Sequence, residues 1–106
     1  MSYRLMRVLV LFDLPVGTPA DRRAYAQFRK SLIKNGFLML QESVYCKLAL
    51  NATVAGAIMQ SVREIKPAKG LVQMLAITEK QFSRMEIVTG EVHSELIDTD
   101  ERLVIL

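Results

Sequence analysis

One aspartate of this sequence stands where a metal ligand is often found. Asp13 directly follows the apolar run Leu9 to Phe12 and precedes Pro15. A short apolar run of this kind indicates a buried strand, so Asp13 opens the loop at its end. Its carboxylate could bind Mg²⁺, a hard ion that takes oxygen ligands, phosphates and water. It could equally cap a turn by hydrogen bonding to nearby backbone, and the residues alone leave both interpretations open.

A single carboxylate is a poor metal site, and a symmetric dimer would supply a second one. If a two-fold axis paired two Asp13 side chains, they could position Mg²⁺ to activate water against a phosphodiester. No other acid, histidine or lysine stands out as a general base. We expect His93, in an acidic segment, to be a solvated surface residue, and Cys46, on a predicted strand, to be a small buried one.

Basic residues gather on one face of the first predicted helix. Thr18 can cap this helix, Pro19 suits its first position, and Gly36 suits its left-handed end. At about 100° per residue, five cations fall within an arc of roughly 140° opposite the apolar side. They are Arg22, Arg23, Arg29, Lys30 and Lys34. A polyanion along this face would relieve their mutual repulsion, and ordinary solvated charges are the alternative.

Charge and composition narrow the class of protein. The 106 residues carry a net charge of +3. Residues 1–70 hold eleven Lys and Arg against four Asp and Glu, and residues 71–106 hold three against seven. A basic first part suits phosphate contact. One cysteine excludes a disulfide framework, and no run approaches the ~20 apolar residues of a membrane span. We therefore expect a cytoplasmic protein that does not bind membranes.

The predicted elements follow the order β-α-β-β-α-β. Strands are expected at 4–12, 37–41, 44–48 and 71–77, the first of them buried on both faces, with helices from about 18 to 35 and over 52–66. A single turn over 78–84 and a short strand from Met85 to Val88 follow. The second helix should bury Val54, Ile58, Val62 and Ile65. This order predicts an α+β ferredoxin-like fold, an antiparallel sheet with two helices on one face.

The end of the chain is apolar after an acidic stretch. Residues 91–101 hold five acids and no Lys or Arg, and the last residues are Leu103, Val104, Ile105 and Leu106. Exposed, these four would be a liability, so we expect them to add a strand to a sheet edge, most economically that of a partner subunit. Docking on the chain's own sheet is the alternative. We divide the chain into a domain over 1–90 and an exchanged tail over 91–106.

Several segments together resemble the CRISPR-associated protein 2 family. The opening Met6 to Pro15, with its Phe-Asp-Leu-Pro, is the first of them. The others are Phe28 to Lys30, Asn35 to Phe37, Gln41 to Tyr45, Thr78 to Phe82 and Asp100 to Leu106. They span essentially the whole chain and look most like the branch found in type II systems.

The resemblance implies a ferredoxin-like homodimer in spacer acquisition. Such a dimer lies between two dimers of the larger integrase subunit, as a heterohexamer, and helps hold protospacer DNA by its phosphates. Some members are described as metal-dependent endonucleases on single-stranded RNA or double-stranded DNA. The family aspartate matches Asp13, which would be the catalytic ligand of Mg²⁺ or another divalent cation. The family's basic residues carry over to Arg22, Arg23 and Arg29.

A different class of protein shares the same topology. A ferredoxin-like regulatory protein that binds a small molecule would have no nuclease activity. It predicts a tight ligand pocket and a DNA affinity that does not respond to salt, whereas phosphate contacts make affinity fall steeply with salt.

Overall fold

The structure is a computed structural model that describes residues 4–91. Its strands are β1 (Met6–Asp13), β2 (Leu38–Gln41), β3 (Val44–Ala49) and β4 (Leu71–Thr78). Its helices are α1 (Pro19–Lys34), α2 (Ala52–Glu64) and α3 (Glu79–Phe82). The strands form one antiparallel sheet in the order β2-β3-β1-β4. This is the α+β arrangement that the sequence predicts, with β1 in the interior of the sheet.

Capping residues set the beginnings of both long helices. The Thr18 hydroxyl accepts a hydrogen bond from the backbone N–H of Asp21 at 3.0 Å, and Pro19 occupies the first turn of α1. The Asn51 side chain accepts from the N–H of Val54 at 2.9 Å and begins α2. Gly36, with φ of +90°, follows the end of α1 in the left-handed region that glycine adopts without strain. These local hydrogen bonds set the residues at which both helices begin, and Gly36 sets the end of α1.

The core lies between one face of the sheet and the two long helices. Alternate residues of β1 enter it because successive side chains of a strand point to opposite faces. The Phe12 ring meets the Phe28 ring edge-on, with centroids 5.1 Å apart. Each buried aliphatic or aromatic side chain stabilises the fold by about 1.5–3 kcal/mol relative to exposure. The principal members are Val8, Val10 and Phe12 of β1, Phe28 and Leu32 of α1, and Ala55, Ile58 and Val62 of α2.

The other face of the sheet, which we call the open face, is not covered by α1 or α2. By alternation it carries Leu9, Leu11 and Asp13 of β1, and Leu11 is 38% exposed and Leu75 51% exposed. The prediction that β1 is buried on both faces is wrong at Leu11, because one chain covers only the helix side there. The residues of the open face are Arg7, Leu9, Leu11, Asp13, Val44, Cys46, Leu48, Leu71, Gln73, Leu75 and Ile77.

Two further predictions are wrong in detail. Val54 is 36% exposed, and Ala55 is buried in its place. The small Ala55 side chain faces the sheet, and Ile58 and Val62 follow it on the same side of α2. The segment from Met85 to Val88 forms no strand, since a strand needs a neighbour to pair its backbone and no described strand pairs with it. The expected single turn after β4 is confirmed as α3.

The exchanged tail lies outside the described residues. Residues 92–106 include His93 and the proposed strand of Leu103, Val104, Ile105 and Leu106. The division of the chain at residue 90 therefore stays a prediction. Among the helices of residues 4–91, none has the length and apolar character needed to cross a membrane.

Candidate metal and nucleic-acid site

Asp13 lies at the end of β1, at the rim of the open face. It pairs with Leu71 of β4, and its side chain is exposed. The next residue, Leu14, turns back and is buried. Neither of the two ion pairs found within residues 4–91 involves Asp13. The carboxylate is therefore accessible to a cation from solvent.

A single chain provides only part of what a metal site at this position would need. Among the described residues, no three His, Cys, Asp or Glu side chains come together. Mg²⁺ keeps several of its waters and is usually held by one or two carboxylates together with substrate phosphates. The oxygen donors and exposure of Asp13 fit that small requirement, and a second Asp13 from another copy would complete a pair. We take Asp13 as half of a candidate site.

The loop between α2 and β4 packs directly against Asp13. Gly70 has a φ of +92°, and a Cβ there would lie 2.8 Å from the carbonyl oxygen of Asp13 and 2.7 Å from the Leu14 side chain. Only glycine suits both the backbone conformation and the space. The preceding residue, Lys69, has a side chain that is 75% exposed, with Nζ 3.7 Å from the Asp21 carboxylate. The sequence pattern does not single out Lys69 as a functional residue. Its position directly before Gly70, which precedes β4, is the one local signal that it lies in a tight loop.

The five cations of α1 fall into two groups. Arg29 donates from Nε to the hydroxyl oxygen of Tyr45 over 2.8 Å, and Arg22 donates to the carbonyl of Val16 over 3.0 Å. These two arginines flank the apolar side of α1, and each makes a hydrogen bond within the chain. All five cations are exposed, but at about 100° per residue the other three point away from the core. We call this group, Arg23, Lys30 and Lys34, the outward row.

The aromatic residues near these cations belong mostly to the core. Phe28, Phe37 and Tyr45 are each at most 2% exposed. Tyr25 is half-buried, and its hydroxyl lies 3.4 Å from the hydroxyl of Ser43. Ser43 itself has a φ of +67° in the tight bend between β2 and β3. Stacking of bases on the three buried rings is therefore excluded in this conformation.

At the opposite end of the open face, Arg7 is fully engaged within the chain. It donates from Nε to Glu79 over 2.9 Å, forms a second bond to the same carboxylate, and lies 4.4 Å from the centroid of the Phe82 ring. Burial is the largest single effect and lowers the pKa of Arg7, but the hydrogen bonds and charges of Glu79 and Cys46 together outweigh it, so the pKa of Arg7 is raised. These contacts hold α3 against β1, so Arg7 is a structural cation.

Cys46 is buried beside Arg7, as the sequence predicts. Its sulfur lies 3.9 Å from an Arg7 nitrogen. Burial raises the pKa of the Cys46 thiol, and the nearby Arg7 charge opposes this only in part. The thiol therefore stays protonated and unreactive in the folded chain.

Comparison with known proteins identifies the family. The family model for CRISPR associated protein Cas2 matches residues 6–85. The chain belongs to the Cas2 family. A curated relative from Treponema denticola is 55% identical over 101 residues, which are 95% of this chain and 100% of the relative. A relative from Streptococcus mutans serotype c, strain UA159, is 44% identical over 101 residues, which are 95% of this chain and 93% of that protein.

More distant Cas2 proteins carry the same name. A relative from Campylobacter jejuni is 37% identical over 103 residues, which are 96% of this chain and 72% of the relative. All three relatives are named CRISPR-associated endoribonuclease Cas2. The resemblance stated from the sequence is confirmed, and this Cas2 chain belongs to a family whose members are named as nucleases.

Proposed function

We propose that this Cas2 chain forms a homodimer that binds protospacer DNA during CRISPR spacer acquisition and hydrolyses phosphodiesters with a divalent cation at paired Asp13 residues. The observation that carries the proposal is the position of Asp13 at the rim of an exposed apolar sheet face. Leu11 and Leu71, the residues nearest to Asp13 on that face, are 38% and 55% exposed. Contiguous apolar surface of this kind marks an interface with another chain.

Packing two open faces about a two-fold axis would bury these leucines and bring two carboxylates into one interface. A symmetric contact uses the same patch on both copies, so each residue near the axis meets its own equivalent. Asp13 lies at the end of the central strand, where such a pair is available to solvent and to a substrate. The terminal strand of residues 103–106 would extend the same interface.

The paired carboxylates would supply the ligand oxygens for Mg²⁺ or another divalent cation. When bound, the cation would lower the pKa of a water and neutralise charge on the phosphate. Gly70 and Leu14 hold the backbone at Asp13, which keeps the carboxylate at the strand end. Residues 4–91 contain no histidine to act as a base. The names of the relatives support RNA as one substrate, and duplex DNA is the other.

The outward row of α1 supports the second activity, the binding of nucleic acid by its phosphates. Arg23, Lys30 and Lys34 are exposed and carry three like charges along one side of the helix. Neutralising phosphates with such side chains releases counterions and favours binding regardless of base sequence. Because this row lies on the helix layer and Asp13 on the open face, we propose that DNA binding and cleavage are separable. The larger integrase subunit would join the dimer as a heterohexamer.

The substitution Asp13→Asn tests the proposal, with Glu42→Gln in the exposed β2–β3 bend as the matched loss of one carboxylate. Purified Asp13→Asn should lose Mg²⁺-dependent cleavage of single-stranded RNA and duplex DNA, while it remains dimeric and supports DNA integration with the larger subunit. Unchanged cleavage would show that Asp13 is not catalytic. A DNA affinity indifferent to salt would instead favour the small-molecule regulatory protein.

A further inference from the structure

The outward row and Asp13 lie on opposite sides of the sheet. α1 packs on the helix side, whereas alternation along β1 places Asp13 on the open face. A nucleic-acid chain that touches both can cross from one side to the other at the end of the sheet where β1 ends and β4 begins. Residues 66–70, the loop between α2 and β4, occupy that end, because Asp13 and Leu71 are paired there.

This loop contacts both layers. Its Gly70 backbone approaches Asp13 so closely that a Cβ would lie 2.8 Å from the Asp13 carbonyl oxygen. On its other side, a cleft of about 170 Å³ separates the loop from the first turns of α1, with Pro15, Asp21, Pro67 and Lys69 among its walls. The loop therefore borders the strand end, the start of α1 and solvent together.

The loop carries two exposed lysines, Lys66 and Lys69, and of these Lys69 lines the cleft. Its side chain is 75% exposed, whereas that of Asp21 is only 14% exposed, and the two charged groups are 3.7 Å apart. An exposed pair of this length contributes little to stability, so the ammonium group remains available to a phosphate. The Asp21 side chain, which is largely buried, lines the same cleft as Lys69.

The backbone beneath Lys69 is restrained. Pro67 fixes its own φ, and the close approach of Gly70 to Asp13 and Leu14 fixes the other end of the loop. The Cα of Lys69 is therefore held relative to Asp13. A cation on a restrained loop loses less conformational entropy on binding than one on a mobile loop.

We propose that Lys69 is a phosphate-binding residue that guides the nucleic-acid backbone past the end of the sheet to Asp13, and that Asp21 positions it. This inference rests on the proposed function, since it assumes a polyanionic substrate. It adds a contact outside α1 to the nucleic-acid interface and assigns Asp21, an acid within a basic surface, a role in orienting that contact.

The test compares Lys69→Ala with Lys80→Ala on full-length protein. Lys80 is an exposed lysine on α3, at the opposite end of β4, so the two variants lose the same charge at the two ends of the sheet. Binding of a labelled RNA strand is measured by anisotropy across salt concentrations. Lys69→Ala should weaken binding and reduce the slope of log K against log salt by about 0.7, as expected for one lost phosphate contact on a single strand. Lys80→Ala should match the wild type, and Lys69→Arg should retain binding.

Two further variants separate the possible failures. Arg23→Ala reports on the outward row: if it weakens binding while Lys69→Ala behaves as Lys80→Ala does, the inference about Lys69 is wrong and the proposed function stands. If the wild type binds without salt dependence, the proposed function itself fails. Asp21→Asn also removes a carboxylate that repels phosphate, so its effect is compared in two backgrounds: relative to its effect in Lys69→Ala, it should disfavour binding in the wild-type background, and Asp21→Glu should retain wild-type binding. Equal effects of Asp21→Asn in both backgrounds would show that Asp21 does not act through Lys69.

Discussion

Arg29 donates a hydrogen bond from Nε to the hydroxyl oxygen of Tyr45, over 2.8 Å. Tyr45 is a core residue whose ring stacks against Phe12. A cation that the sequence assigns to nucleic acid is therefore also part of the packing of α1 on the sheet. Arg23, by contrast, lies on the outward side of the helix and points away from the core.

We expect Arg29→Ala and Arg23→Ala to affect different properties. Arg29→Ala should lower the free energy of unfolding by about 1 kcal/mol, because it removes one hydrogen bond to a buried side chain. Arg23→Ala should leave that free energy nearly unchanged and reduce the salt slope of nucleic-acid binding by about 1. Urea unfolding and anisotropy titrations measure the two quantities. Equal loss of stability in both variants would contradict the division into two groups.

A negative charge introduced on the open face should disrupt the dimer, whereas the same charge on the exposed side of the helix layer should not. Leu75→Glu places a carboxylate in the proposed interface, where pairing of two copies would bury it, and should convert the dimer to monomer. Val54→Glu makes a comparable change on the exposed side of α2 and should leave the dimer intact. Light scattering checks both, against the 12.0 kDa of one chain. A dimeric Leu75→Glu protein would exclude the open face as the interface.

Substitution by alanine should have opposite effects on the free energy of unfolding at Gly70 and at Gly56. Gly70→Ala forces a side chain into a left-handed backbone position and against Asp13, and should destabilise the fold by at least about 1–2 kcal/mol. Gly56 lies within α2, and a Cβ there would meet nothing within 4 Å. Gly56→Ala should stabilise the protein by up to about 1 kcal/mol. Urea unfolding distinguishes them, and a neutral Gly70→Ala would contradict the close packing at Asp13.

Stability at alkaline pH should depend on Cys46. Burial raises the pKa of its thiol above the ordinary value of 9.0, so in this range the unfolded chain ionises before the folded one does. The contribution is fully present below the unfolded pKa and is lost as the pH rises toward the folded pKa. The free energy of unfolding should therefore fall more steeply above pH 9.0 for the wild type than for Cys46→Ala. Parallel pH curves would show that the thiol is not desolvated.

Much of the fold could be predicted because its signals are local. Thr18 and Asn51 begin their helices by capping them, and the apolar run before Asp13 specifies the interior strand. The rotation of α2 could not be predicted, since Val54 and Ala55 are both apolar and only packing on the sheet decides which is buried. The segment at Met85 has strand-forming residues, but pairing depends on a neighbour that local sequence does not reveal.

The candidate site shows the same limit. The sequence places Asp13 at a strand end, and the structure places it there. The sequence treats Arg22, Arg29 and the outward row as one group, because helical periodicity gives directions but not the atoms that each side chain reaches. Lys69 could not be predicted from the sequence, because it is brought near Asp13 by the pairing of β1 with β4. These two strands are separated along the chain by β2, β3 and both long helices.

The central claim is that two Asp13 residues meet across a two-fold interface between open faces. Pulsed electron paramagnetic resonance measures this most directly, with spin labels on Asp13→Cys or, separately, on Lys80→Cys, each in a Cys46→Ala background. We predict a single inter-chain distance for labels at position 13, shorter than that for labels at position 80. An absence of inter-chain coupling at position 13, or a distance longer than that at position 80, would contradict the account.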